Sequence, residues 1–171
     1  EKQQKKLLDK LFELRAPKLA FLPGTKPSAK ESQEIKALFK TMGYSRKAGN
    51  RGVRDQAVAK LAAYGVKVLP GVAAGMDDSN VWRRRNTLRL IAKIAKNDDA
   101  WAFYNSHFKI SQKLISLVVD QSDELSFSVR SAANTSLTKL SGKSVKFIEN
   151  SDQFRTRGQV TARDKWELLF A

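Results

Sequence analysis

The chain has 171 residues, with 32 Lys and Arg against 17 Asp and Glu, which gives a net charge of +15. Its apolar fraction of 42%, with 4 Pro and 9 Gly, is typical of one globular domain with a real core and excludes a wholly disordered tail. The absence of cysteine and the single histidine, His107, exclude a disulfide framework, thiolate metal sites and the common zinc spacings. No cofactor is expected.

The positive charge is concentrated in the first 98 residues, where 22 basic residues face 9 acidic ones. A field of this sign attracts nucleic acid, an anionic membrane or an acidic protein. The alternative is a basic surface that only maintains solubility. No apolar run approaches the roughly 18 residues that span a bilayer. We expect a cytoplasmic protein, and a signal peptide removed before Glu1 stays open as the alternative.

The N-terminal region predicts two helices. Residues 2–15 alternate leucines with lysines at helical spacing, and we expect this helix to cap the open end of a helical stack. A basic helix on a membrane or in a partner's groove is the alternative. Glu31 to Met42 predicts the second helix, capped by Ser28 or Ser32, and its apolar stripe is formed by Ile35, Leu38 and Phe39.

A basic loop follows, with the sequence YSRKAGNRG over residues 44–52. Its Arg46, Lys47 and Arg51 lie among glycines, so the loop could hold a phosphate or a partner's carboxylate. It lacks the spacing of a nucleotide-binding P-loop and the strand that would precede one.

Two amphipathic helices are predicted between Gly52 and Met76. In the first, five residues share one apolar face while Arg54 lies on the polar face, and Gly65 ends the helix. The apolar face is formed by Val53, Ala57, Val58, Leu61 and Ala62. The second helix, Val66 to Met76, tolerates Pro70 only in its first turn.

The third helical segment, from Val81 to Asn97, opens with Trp82 and three consecutive arginines. Trp82 is expected at the edge of the core, or stacked on a base or a guanidinium group. The basic residues that could contact phosphate or carboxylate are Arg83, Arg85 and Arg89.

Further helices are predicted from Ala100 to the end of the chain. An aromatic-rich insertion, Ala100 to His107, comes first and is followed by helices over Ile110 to Asp120 and Val129 to Leu140. A last helix begins near Val160, with Trp166, Leu169 and Phe170 on one side. His107 has no second ligand or nucleophile nearby in sequence, so a packing or surface role is expected for it.

The helical segments repeat one another. Arg84 aligns with Arg54 at a shift of 30 residues, and Arg130 aligns with Arg84 at a further 46. An acidic residue precedes the arginine by six positions in two copies, as Asp78 before Arg84 and Glu124 before Arg130.

In these features the chain resembles the HEAT-repeat family, including the short bacterial HEAT-like repeats of the armadillo-type class. The resemblance covers residues 52–140 and implies an all-α domain, a right-handed α-α superhelix of helix pairs with capping helices at both ends. Residues 1–171 then form one domain, with caps at 1–43 and 141–171. It also implies a structural ladder of acid and arginine, formed by Asp78, Arg84, Glu124 and Arg130. The 46-residue shift is long for one repeat, and Ala48 stands where the first repeat would carry its acid.

The leading functional hypothesis is a non-catalytic scaffold whose basic helical surface binds an acidic protein partner. The alternative is sequence-independent binding of nucleic acid through contacts of Lys and Arg with phosphates. A membrane surface ranks below both. Some DNA glycosylases are built from HEAT-like repeats, but no position here matches their catalytic aspartate, so no enzyme is expected.

Overall fold

A computed structural model describes residues 20–44, 49–94, 97–119, 126–145 and 162–171. Within these ranges the regular structure consists of eight α-helices and one short 3-10 helix, with no strand. The prediction of an all-α protein is therefore confirmed. The helix predicted over residues 2–15 lies outside the described residues.

The helices follow the predicted order. Their bounds are α1 Ala29–Thr41, α2 Asn50–Ala63, the 3-10 helix Gly65–Val68, α3 Leu69–Met76, α4 Val81–Ile94, α5 Asp98–Phe108, α6 Ile110–Leu117, α7 Ser126–Ser141 and α8 Ala162–Phe170. The single helix predicted from Val66 to Met76 is divided into the 3-10 turn and α3. Pro70 lies in the first turn of α3, where its missing N–H costs no hydrogen bond.

Local signals account for several helix ends. Ser28 and Glu31 form a reciprocal capping box at the start of α1, with the Glu31 amide donating to Ser28 Oγ over 3.2 Å. Asn97 caps α5 by accepting a hydrogen bond from the Ala100 amide at 2.9 Å. Gly65, with φ of 58°, follows α2 and permits the left-handed turn that ends it.

Helix α4 is the centre of the packing. It contacts α2, α3 and α7, while α6 contacts both α7 and α8, and α1 packs on α2. The core between them contains fully buried aliphatic side chains from successive helices, including Leu61, Val72, Leu88, Leu114 and Leu137. Burial of this kind is the main source of stability in a helical domain.

The C-terminal helix closes one edge of this core. Trp166 is fully buried, and its Nε1 donates to Asn134 Oδ1 on α7 over 2.6 Å, which satisfies the one polar atom of the indole. Leu169 was predicted on the same side but is 47% exposed. The buried side of this short helix follows Trp166 and Phe170, which are four residues apart.

The predicted apolar face of α2 is wrong at its N-terminal end. Val53 is 42% exposed, whereas Arg54, which was placed on the polar face, is 4% exposed. Burial of Arg54 is possible because its Nη1 donates to the Tyr44 carbonyl at 2.8 Å and its guanidinium lies 4.6 Å from the centroid of the Trp82 ring. Periodicity alone cannot anticipate such partners.

No single helix in the described ranges has the length and apolar character needed to cross a membrane. The length and apolar character are reached only when the two helices Asn50–Ala63 and Gly65–Met76 are counted together, across a bend of 116°.

Candidate functional site

Three arginines at aligned sequence positions are buried in the same part of their helices. Arg54, Arg84 and Arg130 lie near the starts of α2, α4 and α7 and are 4%, 7% and 6% exposed. Arg84 Nη1 donates to the carbonyl oxygens of Asp78 at 2.7 Å and Ser79 at 3.1 Å, so it holds the turn that leads into its own helix. Their burial withdraws these three charges from the surface.

The HEAT-like motif assigns Asp78 to Arg84, but the Asp78 carboxylate pairs with Arg83, the residue before it. Its Oδ2 lies 3.0 Å from Nε of Arg83, and its Oδ1 accepts from the Asn80 amide at 2.7 Å. Asn80 in turn caps α4 by accepting from the amide of Arg83 at 3.0 Å. Asp78 therefore organises the start of α4 through its carbonyl to Arg84 and its carboxylate to Arg83.

Arg83 lies apart from Arg85 and Arg89, although the sequence grouped them together. Its side chain passes so close to Gly43 that a Cβ there would lie 2.8 Å from the Arg83 Cγ. It lines a groove between α1 and α3 that also contains Phe39. Because Arg83 is fixed against this groove by its ion pair, it does not belong to the surface formed by the other two.

Arg85 and Arg89 form a basic cluster with residues of α2. Arg89 Nη1 donates to Asp55 Oδ1 at 2.7 Å, and Arg51 Nε lies 3.9 Å from Asp55 Oδ2. The Arg85 guanidinium lies 5.8 Å from the centroid of Trp82, whose ring also contacts Arg54. We call Arg51, Arg54, Arg85 and Arg89 around Asp55 the arginine cluster. Trp82, half-buried, thus stacks on guanidinium groups within the protein.

The electrostatics of the cluster are dominated by its surplus of positive charge. The hydrogen bond from Arg89 lowers the pKa of Asp55 most, the charges of Arg89, Arg51 and Arg54 lower it further, and burial acts against them. Burial lowers the pKa of Arg85, and repulsion by Arg89, Arg54 and Arg51 adds to this effect. Arginine nevertheless stays charged at neutral pH. An anion bound here would relieve that repulsion.

The prediction that Arg51 lies in the basic loop is wrong, because α2 begins at Asn50 and Arg51 is in its first turn. The Arg51 side chain is 91% exposed, so its charge is available to a partner. Arg46 and Lys47 lie outside the described residues, as does Glu124 of the predicted ladder. Their predicted roles stay predictions.

Sequence reasoning missed two lysines that extend the basic surface. Lys93 on α4 and Lys139 on α7 are both exposed and line one groove with Arg85 and Arg89. Lys93 follows Arg89 by four residues, and Lys139 follows Lys93 by 46, the same shift that relates Arg130 to Arg84. That shared shift was the available signal.

The part of the chain that the structure describes holds no group of three or more His, Asp or Glu arranged to bind a metal ion. His107 is exposed, and its Nδ1 lies 2.9 Å from the Phe103 carbonyl oxygen one turn earlier. No protein-family model matches the chain, and searches of the curated proteins and of the solved structures find no match.

Proposed function

We propose that this chain is a non-catalytic binding module whose basic helical surface binds an acidic protein partner. The observation that carries the proposal is the arginine cluster, in which Arg51 and Arg89 pair with the single carboxylate of Asp55 and Arg85 lies beside them on Trp82. Like charges this close raise the free energy of the folded chain. An anionic partner bound at the cluster would lower that free energy, so the cluster favours the binding of an anion.

We propose a HEAT-like solenoid as the scaffold of this surface. Two observations support it: Arg54, Arg84 and Arg130 are buried at aligned positions, and α4 contacts both α2 and α7, the helices that carry the other two arginines. The right-handed superhelix then consists of helix pairs within residues 52–140, and buried Trp166 belongs to a C-terminal cap. A stack of this kind presents a long surface suited to binding.

Nucleic acid is the second candidate partner. The observation that favours it is Phe127, which is 43% exposed and lines the same groove as Arg85 and Arg89. An exposed aromatic ring beside cations can stack on a base while the cations contact phosphates.

The test is fluorescence anisotropy of a labelled oligoglutamate peptide with the whole chain, titrated in salt from about 50 to 300 mM. Mixed-sequence single-stranded DNA and RNA of equal charge serve as competing probes, and labelled oligolysine is the control for unspecific adsorption. We expect oligoglutamate to bind at low salt, to weaken steeply as salt rises, and to resist competition by the nucleic acids. Absence of oligoglutamate binding at the lowest salt contradicts the proposal.

A further inference from the structure

A basic groove lies between α4 and α7 and has a volume of about 460 Å³. Residues from both helices line it, and those that carry the argument are Arg85, Arg89, Lys93, Phe127, Ser131 and Lys139. Its described lining contains four cations and no Asp or Glu. Arg89 also pairs with Asp55 of α2, and the remaining surplus of cations favours a ligand with several negative charges.

The cations on α4 have a regular spacing. Arg85, Arg89 and Lys93 follow one another at steps of four residues, which places them about 6 Å apart along the helix axis. In an extended peptide, side chains on one face recur every second residue, about 6.6 Å apart. Carboxylates at alternate positions of an extended segment would therefore match the three cations nearly one to one.

Helix α7 is rich in Ser and Thr, which have only modest helix propensity, and it brings several of their hydroxyl groups to the groove. Two of these hydroxyl groups already donate hydrogen bonds within the protein. Ser136 Oγ donates to the Leu88 carbonyl at 2.6 Å, and Thr135 Oγ1 donates to the Ser131 carbonyl at 2.9 Å. The first bond fixes α7 to α4 and holds the groove's width. Donation to a ligand then falls to Ser128 and Ser131, which also line the groove.

The remaining walls fit a peptide better than a nucleic acid. Phe127 and the methyl groups of Ala92 and Ala132 offer apolar contact to side chains between the carboxylates. Bases stack on successive aromatic platforms, and Phe127 is the one aromatic residue among the described residues that line this groove.

We infer that the groove between α4 and α7 binds an extended acidic segment of a partner protein, with carboxylates at alternate residues on Arg85, Arg89 and Lys93. The inference rests on the proposed function and names the site and the form of the ligand. Lys139 and the serine hydroxyls contact the opposite side of the segment.

The experiment compares labelled peptides of one composition by anisotropy. An alternating Glu-Thr peptide is extended and carries its carboxylates on one face, and its isomer with Glu and Thr in separate blocks is the matched control. A helical peptide with Glu at every fourth position and alanine between, and a single-stranded oligonucleotide of equal charge, complete the set. We expect the alternating peptide to bind at least about threefold more tightly than the block isomer.

Two charge-matched variants locate the site. Lys93→Gln with Lys139→Gln removes two groove charges, and Lys30→Gln with Lys165→Gln removes two exposed charges on α1 and α8. We expect the first pair to weaken binding of the alternating peptide about five- to tenfold and the second about twofold or less.

Equal affinities of the two variants overturn the inference, as does tighter binding of the helical peptide or the oligonucleotide. Equal affinities, or tighter binding of the helical peptide, leave the proposed function standing if the wild-type chain binds oligoglutamate. Tighter binding of the oligonucleotide removes both, because it favours nucleic acid as the partner. Failure of the wild-type chain to bind any acidic peptide removes the proposed function itself, so the two failures are distinguishable.

Discussion

The two grooves beside α4 use positive charge in opposite ways. In the groove between α1 and α3, Arg83 pairs with Asp78 at 3.0 Å and Lys67 pairs with Glu31 at 2.7 Å, and Phe39 packs against Gly71. In the groove between α4 and α7, the described lining has cations and no carboxylate. The ion pairs of the first groove join its helices to one another. In the second groove Arg89 pairs with Asp55 of α2, and we propose that its surplus of cations binds a partner. In this proposal α4 serves the fold on one side and binding on the other.

The largest expected effect comes from a buried arginine compared with its neighbour. Arg84→Ala leaves the carbonyls of Asp78 and Ser79 without their charged donor and should lower the free energy of unfolding by about 2 to 3 kcal/mol. The same reasoning gives about 1 to 3 kcal/mol for Arg130→Ala, because Arg130 is 6% exposed. Arg85→Ala should change it by less than about 1 kcal/mol, since repulsion within the cluster is also removed.

Urea unfolding monitored by circular dichroism measures the three variants. If the urea midpoints of Arg84→Ala and Arg85→Ala were equal, the distinction between buried and accessible arginines would have no energetic basis.

A glycine pair tests how tightly α3 and α4 pack. A Cβ at Gly75 would lie 2.4 Å from Oγ1 of Thr87 on α4, so Gly75→Ala should destabilise the fold by about 1 to 3 kcal/mol. Gly52→Ala, a helical position with nothing within 4 Å of the added atom, should stabilise by up to about 1 kcal/mol. Thermal melts give both values, and Thr87→Ala should restore part of the loss. A neutral Gly75→Ala would show that the two helices separate easily.

Arg89→Gln should lower the free energy of unfolding by about 1 kcal/mol or less, because the side chains of Arg89 and Asp55 are 37% and 43% exposed. The pKa of Asp55 is lowered in the folded chain, so the pair stabilises the fold above the unfolded-state pKa of about 3.9. This contribution is lost as the pH falls through the lower pKa of the folded state. Urea midpoints of wild type and variant, measured from neutral pH into acid, should therefore converge. A constant difference would argue against the pair as the cause.

The smallest effect is expected at an ion pair whose two residues do not line the α4–α7 groove. Lys113 contacts Asp77, and their side chains are 32% and 65% exposed. Lys113→Gln should change the free energy of unfolding by less than about 0.5 kcal/mol and leave oligoglutamate binding unchanged within error. A clear loss of binding in this variant would extend the binding surface beyond the groove.

Much of the fold follows from the sequence because its signals are local. Apolar spacing predicts α4, Pro70 identifies a first turn, and Ser28, one of the two predicted caps, lies at the start of α1. The resemblance to HEAT repeats also implies structural roles for Arg84 and Arg130, and both are buried. Such signals depend on neighbours within a few turns, so one sequence contains them.

The site was less accessible because its members meet through tertiary packing. Proximity in the chain grouped Arg83 with Arg85, yet residues two positions apart on a helix point about 160° apart. Which arginine takes the Asp78 carboxylate depends on the Asn80 cap and the space at Gly43. Lys139 joins Lys93 only because α7 packs on α4. Partners such as the Tyr44 carbonyl for Arg54 are likewise invisible to periodicity.

The most direct test of the account is the affinity of the Arg85→Gln, Arg89→Gln variant for oligoglutamate at low salt, measured beside the Lys30→Gln, Lys165→Gln control. Both variants lose two charges, and urea midpoints establish that both remain folded. The account predicts a loss of about tenfold or more in the first and about twofold or less in the second. Equal affinities of the two folded variants would contradict it, because the net charge of the chain, and not the cluster on α4, would then determine binding.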